Sequence, residues 1–198
     1  MNRRDLLKRA GAAIIPAAIL GSRLPAMGIS PQSGISRIGA VVYEERYADC
    51  RTFADILARR GAVPFAVNGD CGKLWHRALR EHLAGNAGSV AGLTCDSDSV
   101  VSRICGRELG LGATYEGAHD CRGTDSLAHR LRGGVYQREI AAALRGDGAC
   151  WAELLAEALV GGHSHDKFSI FSGSVPVKTA RSPEHPGYLT SWLLEKIA

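Results

Sequence analysis

What this chain lacks narrows it first. It has no C-x-x-C pair, so the thioredoxin-type redox motif is absent. Aromatic residues make up only 6% of it. No apolar run reaches the ~20 residues that a helix needs to cross a bilayer. The glycine fingerprint of a dinucleotide fold is missing too, because the first apolar run is followed by Glu44-Glu45-Arg46-Tyr47. A phosphate at a helix start needs bare backbone amides and is repelled by carboxylates. Gly110-Leu111-Gly112 leads into an expected strand and makes no such loop either. A basic surface is absent as well. The formal charge is +4, yet residues 1–27 carry all of it, with five basic side chains against one acidic. Residues 28–198 balance at 19 of each sign. That leaves none of the excess that a nucleic-acid backbone attracts, so nucleic acid is excluded as the expected partner.

What is present begins with a three-part leader. Met1 to Ala10 is polar and basic, Gly11 to Gly21 is uncharged and apolar, and Ser22 to Met27 returns to small and polar residues. This is the layout of a secretory signal. The competing reading is an ordinary amphipathic tail. The stretch Asn2-Arg3-Arg4-Asp5-Leu6-Leu7-Lys8 resembles the twin-arginine export signal, with Leu6 where that family often has Phe and Asn2 where it often has Ser or Thr. The resemblance covers the leader only. It implies passage through the twin-arginine translocation machinery as an already folded protein, sometimes with a cofactor or a co-exported protein partner aboard, to a periplasmic or secreted location. Leu24-Pro25-Ala26 is an imperfect small-x-small cleavage site, so contact with a membrane is expected only through an uncleaved signal. The chain therefore divides into a signal (1–27), a linker (28–36) containing Pro31, Ser33 and Gly34, and one α/β domain (37–198).

The domain opens with alternating strand and helix signals. Residues 38–43 form an apolar run typical of a strand covered on both faces. Residues 47–60 carry Cys50, Phe53, Ile56 and Leu57 at helical spacing and stop at Gly61. A strand at 63–67 follows, then a helix over 72–84 with Trp75, Ala78, Leu79, His82 and Leu83 on its stripe. A strand at 89–94 leads into a helix with Val101, Ile104 and Cys105 inward, and a fourth strand spans 113–116. Leu127 to Leu131 is expected to return as a hairpin across Gly123-Thr124-Asp125. Helices near 135–145 and 149–160, a strand at 167–174 and a short apolar tail at 192–194 complete the pattern. Repeated strand–helix units predict a three-layer, Rossmann-like α/β sandwich with a largely parallel sheet and a less regular C-terminal part.

In such a sheet ligands gather beyond the carboxyl ends of the strands. Those ends carry Glu44 and Glu45, then Asp70 and Cys71, then Cys95, Asp96 and Asp98, then Glu116, His119, Asp120 and Cys121. Glu44, Asp70, Asp96, Asp98 and Asp120 are the candidate ligand or metal residues, because crowded carboxylates need a cation or shift their pKa. Helix capping is the competing reading for Asp70, Asp96 and Asp98. His163 and His165, two apart, could grip one metal from an extended segment. His76, His82, His129 and His185 show no ligand spacing. Cys95 before a helix, with His119 as base, is the candidate nucleophile pair, although no G-x-S-x-G elbow surrounds it. Cys50 and Cys105 fall on faces expected to be buried. Six cysteines in an oxidising compartment permit up to three disulfides. Two functions follow: a small-ligand-binding or accessory domain, or a hydrolase in which a divalent metal activates water at the acidic edge.

Overall fold

The computed structural model describes residues 38–85, 88–120, 126–145, 150–161, 175–180 and 187–197. The leader, the linker, the expected strand at 167–174, Cys121, His163 and His165 lie outside these residues.

The first half follows the apolar pattern closely. Strand β1 (Ile38–Glu44) buries Ala40, Val41 and Val42 completely. Helix α1 (Ala48–Arg59) turns Cys50, Phe53, Ile56 and Leu57 inward. It ends before Gly61, whose φ of +97° is the left-handed conformation that glycine adopts without strain. Strand β2 (Val63–Val67) lies at one edge, and every residue of β3 (Ser89–Thr94) is buried.

Between them runs α2 (Cys71–Leu74), a π-helical turn (Trp75–Leu79) and α3 (Arg80–Gly85). The wider turn shifts the phase of the helix. Trp75 and Leu79 stay buried, while Ala78, expected on the stripe, is exposed and His82 and Leu83 are half-buried. Helix α4 (Asp96–Glu108) also turns away from expectation. Cys105 is inward, but Ile104 is 54% exposed, and Ser99, Ser102 and Gly106 take the buried face. Small residues let the helix sit close: Gly106 abuts Leu194, and the Ser102 hydroxyl accepts the Trp75 indole N–H at 2.9 Å.

The remaining elements are β4 (Leu111–Asp120), β5 (Ser126–Arg132), α5 (Gly134–Ala143), α6 (Trp151–Gly161), β6 (Val175–Ala180) and β7 (Tyr188–Lys196). The expected hairpin is present, with β4 and β5 antiparallel. The α/β class holds, with helices on both faces. One core joins α1, α5 and α6 to Val41, Leu131 and Leu193; the other joins Trp75, Leu79 and Cys105 to Val42, Val90 and Trp192.

The largely parallel sheet does not hold. The seven strands run in the order β2-β1-β3-β7-β4-β5-β6. Among the described residues only β1–β2 and β1–β3 pair in parallel; β3–β7, β7–β4, β4–β5 and β5–β6 are antiparallel. The difference is β7. What reads in sequence as an apolar tail is a nine-residue strand inserted between β3 and β4. Running against both, it leaves β1, β2, β3 and β4 pointing the same way, so their carboxyl ends still share one edge of the sheet.

Candidate functional site

At that edge the carboxyl ends of β1 and β2 and the start of α4 enclose an open cleft of about 630 Å³, lined by Glu44, Glu45, Arg46, Val67, Asn68, Gly69 and Asp98. Glu44 is the last residue of β1 and only 3% exposed. Burial disfavours a bare carboxylate, and Arg46, two residues on, meets the demand. Its Nε and Nη2 donate to Oε1 and Oε2 at 2.8 and 3.0 Å. This two-point clasp holds the Glu44 carboxyl below its ordinary range against the opposing effect of burial.

The Cys95 thiol points at the same carboxylate, with Sγ 3.8 Å from Oε2. Asp98, in the first turn of α4, completes a group in which one donor atom each from Glu44, Cys95 and Asp98 lies within 4.8 Å of the others. Burial first, then the Glu44 charge, raises the Asp98 pKa, with Arg46 acting against them. Burial followed by Glu44 and Asp98 raises the Cys95 thiol as well. At neutral pH the thiol keeps its proton and donates it.

The other expected residues go elsewhere. Asp70 is a helix cap, accepting from the Lys73 amide at 3.1 Å. Asp96 accepts from the Thr190 hydroxyl at 3.2 Å, and neither it nor Asp98 caps α4, whose N-cap is Cys95. Asp120 ends β4 opposite Tyr188, with β7 between it and β3. The Cys95–His119 pair does not form. His119 has no exposed surface, and both its ring nitrogens are engaged by other residues. Cys50, Cys71, Cys95, Cys105 and Cys150 are free thiols, and none of the disulfides that six cysteines would permit is formed among the described residues. Cys50, Cys71 and Cys105 act as small buried groups, Cys95 belongs to the cleft and Cys150 is exposed; burial lifts the Cys71 thiol to about 11.

The structure also gathers groups that sequence spacing missed. His119 on β4 and His129 on β5 are registered partners, with Nδ1 atoms 2.6 Å apart. His119 Nε2 lies 2.7 Å from Ser191 Oγ on β7, and Ser191 lies 2.9 Å from the Tyr115 hydroxyl. The Trp151 indole packs over both imidazoles and donates to Asp49 at 3.0 Å. Gly117 is required here, because a side chain would meet Tyr115, Ser191 and His119 at once. The serine–histidine spacing has the form of an activated nucleophile, yet Ser191, His119 and His129 all have no exposed surface. A substrate cannot reach them. The signal was available in sequence: a hairpin centred on Thr124 sets residue 119 opposite 129.

Comparison with protein-family models, curated proteins and solved structures returns no match.

Proposed function

We propose that this chain is an exported small-ligand-binding or accessory domain whose binding place is the cleft at the ends of β1 and β2. The observation that supports this reading is Glu44. A carboxylate 3% exposed, ionised at the end of an interior strand and turned to an open cleft, is the group that fixes the polar end of a ligand. Its counter-ion Arg46 has a side chain 70% exposed, so a ligand cation can replace it without unpacking the core. With Glu45 and Asp98 beside it, the cleft favours small cationic or amine-bearing ligands over anions.

A second reading is metal-assisted hydrolysis, supported by the Glu44, Cys95 and Asp98 donor set. The mixed oxygen and sulfur donors suit zinc better than magnesium. Arg46 already occupies both oxygens of Glu44, which favours the first reading.

Calorimetric titration with Zn²⁺, Mg²⁺ and ethanolamine separates the two. Saturable ethanolamine binding lost in Glu44→Gln supports the ligand-binding domain. Stoichiometric zinc lost in Asp98→Asn supports the hydrolase. Binding of none of the three overturns both assignments of the cleft. The export step rests on Arg3 and Arg4: their joint replacement by Lys is expected to leave the chain in the cytoplasm, and unchanged export would refute it.

A further inference from the structure

Strand β7 touches the candidate site without lining it. In register Thr190 lies opposite Thr94, and Trp192 opposite Gly92. The Trp192 ring lies across Gly92 so closely that a side chain there would fall inside it. From this position the indole N–H donates to Thr94 Oγ1 at 3.2 Å, and the same hydroxyl donates to the Cys95 carbonyl at 3.2 Å. Cys95 is the N-cap of α4, and its carbonyl also receives the Ser99 amide at 3.0 Å. One residue on, the Thr190 hydroxyl donates to Asp96 at 3.2 Å. Two separate side chains of β7 thus hold the turn that presents Cys95 and Asp98 to Glu44.

We propose that β7 sets the position of the Cys95–Asp98 turn, with Trp192, Thr94 and Thr190 as positioning residues of the cleft. The directional order supports this. An indole can only donate, so Thr94 must accept from it, and the hydroxyl proton is thereby turned toward the Cys95 carbonyl. Thr94 has no exposed surface, so water cannot take over either bond. The inference rests on the cleft being the binding place, but its readout is the Cys95 thiol itself, measured with no ligand added.

The test is alkylation of the full chain by iodoacetamide, followed by mass spectrometry at each cysteine. Exposed Cys150 is the internal rate reference, and fully buried Cys50 reports whether the fold is intact. Thr94→Val is expected to speed Cys95 labelling about fivefold relative to Cys150, the order expected when one net hydrogen bond is lost from the closed turn. Thr94→Ser, which keeps the hydroxyl, is expected to restore the slow rate. Thr190→Val, at a half-buried surface position, is expected to accelerate labelling in the same direction. Should Thr94→Val expose Cys50 as well, Thr190→Val alone decides the matter. Wild-type Cys95 rates in the folded variants would overturn the proposal. A cleft that binds no probe would leave the labelling result unchanged, so the two failures are distinct.

Discussion

Glu44 and Asp98 share one cleft and respond to acid in opposite senses. The Glu44 carboxyl is held down in the folded chain, chiefly by its hydrogen bonds to Arg46. Its contribution to stability is present above the ordinary carboxylate range and is lost as pH falls through the folded value. The Asp98 carboxyl is held up, by burial and then by Glu44. Its contribution is present at acid pH and is lost as pH rises through its folded value. At pH 7, therefore, Glu44→Gln is expected to lower the melting midpoint by a few degrees and Asp98→Asn to raise it. As pH falls, the Asp98 difference is expected to vanish once pH is below the ordinary carboxylate range, and the Glu44 difference only lower still, when pH has passed its depressed folded value. Melting curves across pH check both signs.

The buried histidines allow a second expectation at the same scale. Among the described residues the Tyr115 hydroxyl, whose pKa burial raises, bonds only Ser191, so its proton goes there. Ser191 then donates to His119 Nε2, and His119 must carry its proton on Nδ1 and pass it toward His129 Nδ1. Nitrogen-15 spectra are expected to show the Nδ1–H tautomer at His119 and the Nε2–H tautomer at His129. The reverse assignment would show that the chain of donors runs the other way.

Among the elements, β3 and β7 fit through a notch. Gly92→Ala would drive a methyl group into the Trp192 ring, where the nearest atoms belong to a rigid indole in the core. The expected loss is about 2–3 kcal/mol, the usual cost of overpacking, read from chemical denaturation. Local pattern revealed the elements that depend on local signals. Apolar runs and Gly61 marked β1, α1, β2 and β3 because strand and helix periods are written into adjacent residues. The phase of α4 was misread because Ile104 is more apolar than Ser102, while close packing under Trp75 and Leu194 selects the smaller side chain. The role of β7 was hidden for a different reason. Trp192-Leu193-Leu194 announces burial, but nothing in nine residues names the partners β3 and β4, which lie far away in sequence. The cleft was legible in part. Glu44, Cys95 and Asp98 were found by assuming a shared edge, and that edge survived because β7 reverses direction without reversing β4. Arg46 was overlooked as a counter-ion because it sits in a turn that looked merely acidic.

In the molecule as a whole, β7 joins a parallel group (β2, β1, β3) to an antiparallel group (β4, β5, β6). Its residues feed both cores, Leu193 on one face and Trp192 with Leu194 on the other. Leu193→Ala is therefore expected to cost about 2–5 kcal/mol, the range for a buried leucine truncated in a packed core. It is expected to raise amide exchange in β1 and β5 together. Faster exchange confined to β5 would show that the two groups are stable separately.

The place of β7 also orders events in time. Residues 188–196 leave the ribosome after every other described element, and β4, which they must pair with, is complete by residue 120. Until they emerge, β3 and β4 each present an unpaired edge, the surface through which nascent chains aggregate. The sheet cannot close until residues 188–196 have been made. A ribosome stalled even a few codons before Tyr188 would hold a chain with most of its helices and strands but no continuous sheet, which makes such stalled products natural clients for chaperones.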